Sequence, residues 1–165
     1  MRLSAEIHYD ADPAAVVAML TDRAFQERKC AATGALESEV EIEPSPNGAV
    51  AIHTVRNLPT DHVPDYAKIF VGGSLVVVQV DRWGPPRADG ARDGTIVVEV
   101  KGIPVRFHGT MTLRPERGGA AEALDGDIKA AVPVVGARIE RALEPAIRAA
   151  IRVEQREGIA WLAGG

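Results

Sequence analysis

The side chains of this chain that could do chemistry are few and dispersed. There are four histidines, His8, His53, His62 and His108, one cysteine, Cys30, and three aspartates, Asp81, Asp125 and Asp127, set in otherwise apolar runs. A histidine or a hydroxyl becomes a base or a nucleophile only where a partner converges on it. A metal likewise needs several ligands in one place. Alternation along strands tests for convergence, because successive side chains point to opposite faces. His8 shares its face with Ser4 and Glu6, opposite Leu3, Ala5, Ile7 and Tyr9. His53 falls opposite Ile52, His108 opposite Phe107, Met111 and Leu113, and His62 lies in a loop. All four are expected to point away from any interior, and no two share a spacing that suggests a metal site. Ser38 is the serine most expected to face inward, yet no inward histidine is there to activate it. Cys30 reads as a small buried hydrophobe. No catalytic residue, metal or cofactor is assigned on this basis.

Three residues carry two readings. In LVVVQVDRW both faces are apolar in part. If Val76, Val78 and Val80 point inward, Gln79 and Asp81 are outside. If Leu75 and Val77 do, then Gln79, Asp81 and Trp83 line the interior, and Asp81 becomes a buried carboxyl with a raised pKa, suited to acid or base work. Arg56 has the parity of Ile52 and ends its strand; it is either an exposed arginine or one that holds an anionic head group at a cavity mouth. Tyr9 is the third candidate for proton transfer. In EALDGDIKAAV the inner face goes to Leu124, Ile128, Ala130 and Val132, which sends Asp125 and Asp127 to solvent. FVGGSL has no following helix and lysine, so it is not a phosphate loop. Glu37, Glu39, Glu41 and Glu43 read as a solvated stripe that discourages edge pairing.

These residues are held by elements that the periodicity predicts in order. Residues 2–9 alternate as a half-buried strand. Asp12 and Pro13 open a helix with Val16, Val17 and Leu20 on one side, and a second short helix starts at Thr21 or Asp22 and stops at Gly34. LESEVEIE is a strand with Leu36, Val40 and Ile42 facing inward. PSPNG turns the chain into AVAIHTVRN, where Val50, Ile52 and Thr54 face inward. Residues 58–73 read as a loop with one helical turn. Strands follow at about 75–83, 95–101, 105–114 and 120–132. Over 134–157 Val135, Ile139, Leu143, Ile147 and Ile151 recur every four residues, the stripe of an amphipathic helix. Pro145 lies inside that helix and predicts a bend.

Composition sets the outer bounds. The chain has 165 residues, 46% of them hydrophobic, and reads as one domain over 1–165. A net charge of -4 without basic clusters argues against a nucleic-acid partner. A single cysteine excludes an intrachain disulfide, and no run approaches the roughly 18 apolar residues of a membrane span. With no signal-peptide pattern opening the chain, a cytoplasmic protein is expected.

One strand, two short helices, six more strands and a long helix predict an α+β fold: a curved seven-stranded antiparallel sheet with the C-terminal helix across its concave face. That order resembles the START-like, helix-grip (SRPBCC) superfamily, which includes plant allergens related to the birch pollen protein, polyketide cyclases and lipid-transfer domains. HYDADPAAVVAMLTDRAFQERKCAATGA and DIKAAVPVVGARIERALEPAI are similar to a family of uncharacterised actinobacterial proteins within it. The resemblance implies a cavity between sheet and helix, and the parities place Val40, Ile52, Val98, Val100, Phe107, Met111, Ile139, Leu143 and Ile147 around it, with Arg56 at the mouth. Small residues, Ala51, Gly109, Ala130, Ala142 and Ala146, would leave room. The expected partner is a small hydrophobic molecule, lipid-, polyketide- or isoprenoid-like. Burying roughly 300 Å² of its apolar surface is worth about 7 kcal/mol before immobilisation costs. A cyclase or dehydratase using Asp81, Arg56 or Tyr9 in the same cavity is the alternative. The tail GIAWLAGG either packs Trp161 and Leu162 onto the domain or joins two copies as a homodimer.

Overall fold

The computed structural model describes residues 1–165. Strand β1 (Arg2–Tyr9) leads into α1 (Pro13–Leu20) and α2 (Arg23–Ala32). Both helices start on an aspartate: Asp12 Oδ1 accepts from the Ala15 N–H at 2.8 Å, and Asp22 Oδ1 accepts from the Ala24 N–H at 2.8 Å. These bonds satisfy amides that the first helical turn leaves free. The chain continues through β2 (Glu37–Pro44), β3 (Val50–Leu58), α3 (Asp65–Val71), β4 (Leu75–Trp83), β5 (Arg92–Val100), β6 (Val105–Glu116), β7 (Gly119–Ala130) and α4 (Gly136–Leu162). The stretch expected to be a loop with a single turn thus holds a seven-residue helix, α3. Gly34, just past α2, has φ +86°, the left-handed geometry that ends a helix.

All seven strands form one antiparallel sheet in the order β1-β7-β6-β5-β4-β3-β2. Only β1 pairs out of sequence, against the last strand, so β1 and β2 are the two edges. The sheet is curved, and α4 crosses it as the helix grip. Helix α4 runs unbroken through Pro145 and ends five residues beyond the expected limit. No helix is long and apolar enough to cross a membrane.

The core is concentrated at one end. Tyr9, Phe25, Leu113, Ala120 and Met19 are fully buried there, together with α1 and the last turns of α4. Gly158 makes that closeness feasible, since a Cβ at this position would lie 2.7 Å from the Tyr9 ring and 3.1 Å from the Met19 methyl. Trp161 meets Phe25 edge-on at 5.6 Å, so the tail packs onto its own domain. At the other end α4 buries only Gly136 and Ile139, and α3 buries nothing.

Candidate functional site: a cavity with one polar end

Between the concave sheet face and α4 lies a cavity of about 750 Å³, lined mainly by hydrophobic side chains. Nine of the ten residues placed around it by parity do line it: Ile52, Arg56, Val98, Val100, Phe107, Met111, Ile139, Leu143 and Ile147. Val40 does not. It is buried where β2 packs on α2, and the Arg23 guanidinium donates to its carbonyl. Of the small residues, Ala142 and Ala146 face the cavity, whereas Ala51, Gly109 and Ala130 do not. Gly109 instead faces Gly126 across β6 and β7, where a Cβ would strike the Asp125 carbonyl at 2.5 Å. Leu36, expected inside, precedes β2 and is 69% exposed.

The largest correction concerns polarity. The expectation that the interior lacks ionisable groups fails. On β4 the inward set is Leu75, Val77, Gln79, Asp81 and Trp83. Register sets Asp81 beside Ile52, and the inward parity of β3 carries through to Arg56. Arg56 is therefore not at the mouth. It is buried, with its Nη2 donating to Gln79 Oε1 at 3.0 Å, and Gln79 Nε2 donates in turn to both Asp81 oxygens at 2.9 and 3.1 Å. Three further groups join from other elements: Lys29 on α2, Glu122 on β7 and Glu154 on α4. Lys29 Nζ is 2.7 Å from Glu154 Oε2, an ion pair that ties α2 to the long helix. Gln26, one helical turn before Lys29, is also buried at the wall and donates to the Leu20 carbonyl at 2.6 Å.

Burial sets the protonation of this cluster. It pushes Asp81 up to about 6, with Lys29 pulling back and Glu154 adding to the rise. Glu122 is raised well above the ordinary carboxylate range, first by burial and then by the charge of Glu154, with Lys29 pulling back and Asp81 adding to the rise, so the site favours its protonated form. Burial alone would lower Lys29, but the carboxylates of Glu154 and Asp81 outweigh it, and the lysine stays charged. Three polar atoms at the cavity wall, Glu122 Oε2, Gln26 Oε1 and Arg56 Nε, are buried with no hydrogen-bond partner. Tyr9 is buried as well, its hydroxyl unpartnered and its proton held tightly by desolvation, but it stands in the packed core and does not line the cavity.

The matches to known proteins follow the fold. Residues 4–162 match the family described as protein of unknown function DUF2505. The chain belongs to that family. It is similar to the uncharacterized protein Rv0481c of Mycobacterium tuberculosis, with 25% identity over 118 residues, 70% of this chain and 67% of that one. A Mycobacterium bovis protein, Mb0491c, matches to the same extent. Among solved structures, a STAR-related lipid transfer protein from Xanthomonas axonopodis superposes with TM-score 0.61 at 16% identity, over 95% of this chain and 85% of that one. Ara h 8.0201 gives 0.59 at 13% identity, over 100% and 99% of the two chains. A Thermus thermophilus protein, TTHA0849, gives 0.58 at 14%, over 97% and 98%. The DUF2505 chain thus has the START-like helix-grip fold.

Histidine placement follows parity with one exception. His8 is on the outer face between Glu6 and Glu116, His53 is beside Glu43, and His108 is exposed. His62, in the segment before α3, lines the cavity and so departs from the expectation for all four. Ser38 is exposed, and Cys30 is buried with its thiol pKa raised by desolvation, as suits an inert side chain. Lys29, Glu122 and Glu154 are the site residues that the sequence reading did not select.

Proposed function

We propose that this protein binds a small, largely hydrophobic molecule between its sheet and its long helix. The observation that carries the reading is the cavity itself: about 750 Å³, with 32 hydrophobic residues among the 44 that line it. Such a volume and lining match the usual character of small-molecule sites, apolar walls with a few convergent polar groups. A void this large would otherwise be costly, because interiors are normally filled to crystal-like density. The likeness to a protein described as a lipid transfer protein supports the same reading. Native mass spectrometry of freshly purified protein is the test. A retained small-molecule adduct, lost when Ala142→Phe intrudes on the cavity, is the expected result. Adduct-free protein that also fails to take up any of a panel of apolar probes would end the proposal.

One observation favours a second reading, an acid–base enzyme of cyclase or dehydratase type. A carboxyl pushed up to about 6, in one cavity with a second that burial drives toward its protonated form, is the pairing that general acid–base catalysis uses close to neutral pH. Asp81 and Arg56 are its candidates, while Tyr9, behind the cavity wall, drops out. Asp81→Asn separates the readings: a pure binding protein keeps its ligand affinity and has no turnover to lose.

A further inference from the structure

The polar groups are not spread evenly around the cavity, and their arrangement says what kind of head group they suit. Register places Leu58 beside Leu75 and Val77 beside Val100, so one end, closed by α3 and the start of α4, is mainly apolar and free of acids, with His62 and Tyr66 as its polar lining and Arg56 opposite Val77. The opposite end, toward the last turns of α4, carries Lys29, Asp81, Glu122 and Glu154. Taken with Arg56, the formal charges of Lys29, Glu154 and Asp81 already cancel. Lys29 is matched by Glu154 at 2.7 Å, and Arg56 is linked to Asp81 through Gln79. A ligand bringing its own charge would leave one unpaired in a desolvated site, at a cost of several kcal/mol. Glu122 is the fifth group and stands outside both pairings. Its Oε2 is buried with no hydrogen-bond partner, and the charge of Lys29 reaches it without forming an ion pair. Buried and unpartnered, this carboxyl has a free acceptor, and in the protonated form that burial favours it adds one O–H donor, the complement of an alcohol or a ketone.

We propose that the ligand is an uncharged amphiphile whose hydroxyl or carbonyl head sits on the Glu122 carboxyl while its hydrocarbon part extends toward α3. This rests on the binding reading above and narrows it. Gln26 Oε1 is a second unpartnered acceptor at the wall, open to an alcohol hydroxyl, and the competing anchor for a different head is Arg56 Nε, also buried and unpartnered, which would favour a carboxylate. The two alternatives predict opposite ligand orders.

The test uses the full-length protein and four probes of matched chain length: decanol, methyl octyl ketone, decanoate and decylammonium, titrated calorimetrically at about pH 7. The alcohol and the ketone are expected to bind about tenfold or more tighter than either ion. Glu122→Leu is expected to weaken both by about tenfold, the worth of one buried hydrogen bond, whereas Glu122→Gln, which keeps a donor and an acceptor, stays within about threefold. Thermal melts of both variants confirm that they fold. Decanoate binding tightest and losing affinity in Arg56→Gln would overturn the head-group assignment and leave cavity binding intact. Alcohol binding indifferent to Glu122→Leu would overturn the role of Glu122. Failure of all four probes to bind would count against the cavity reading itself.

Discussion

The Tyr9 end of the molecule and the Leu75 end are built from the same sheet and the same helix, yet one is filled and the other hollow. At the Tyr9 end, Phe25, Met19, Leu113 and Trp161 interlock, and Gly158 brings α4 down onto the aromatic ring. At the Leu75 end the helix stripe of Leu143 and Ile147 faces open volume, and α3 closes the side without burying a residue of its own. The charged cluster lies between the two. Stability and capacity are therefore held by different stretches of one chain, which is how a domain this small can keep an interior space without losing its fold.

Substitutions at the two ends should therefore differ in cost. Phe25→Ala removes a fully buried ring and its partner across to Trp161, and is expected to cost about 4 kcal/mol in denaturant unfolding. Leu143→Ala, facing existing space, is expected to cost about 1 kcal/mol. Equal costs would erase the distinction between filled and hollow ends. Next in size is the boundary. Lys29→Met leaves Glu154 desolvated without its cation and is expected to cost about 3 kcal/mol, most of it recovered in the double variant Lys29→Met/Glu154→Leu. No recovery would mean that the pair contributes more than mutual neutralisation.

A further effect, below that of Lys29→Met, has the opposite sign. Asp81 titrates at about 6 in the fold against roughly 3.9 when unfolded, so the folded state binds the extra proton between those values. Ionised Asp81 is a burden above that window, and the wild-type fold gains stability as pH falls through it. Asp81→Asn is accordingly expected to stabilise the protein by about 2 kcal/mol at about pH 8, with the advantage shrinking toward about pH 4. Unfolding curves of both proteins across that range check this, and a pH-independent difference would place the carboxyl in a well-solvated setting.

Strand parity was informative where one face was apolar and the other polar. VRFHGTMTL read correctly at Val105, Phe107, Met111 and Leu113 for that reason, although Gly109 does not face the cavity, whereas in ESEVEIE Val40 is buried under α2 rather than at the cavity and Ser38 is exposed. LVVVQVDRW gave no answer because β4 lies mid-sheet with valines on both faces, and only its pairing with Ile52 and Ile96 settles where Asp81 points. Signals for the missed residues were present. Glu122 shares parity with Leu124 and Ile128. Glu154 lies seven residues after Ile147 on the same helical stripe, and Lys29 lies one turn after Phe25. Their charge argued for solvent, and the partner that permits burial is 125 residues away in sequence, beyond the reach of any local pattern.

Gly126 sits beneath the cavity floor, where a Cβ would lie 2.6 Å from the Phe107 ring. The ring occupies the niche left by the missing side chain. A methyl group at position 126 would also meet the His108 carbonyl at 2.5 Å, so both the aromatic plate and the β6 backbone would have to move. The shape of the cavity is thus set in part by a glycine that does not line it.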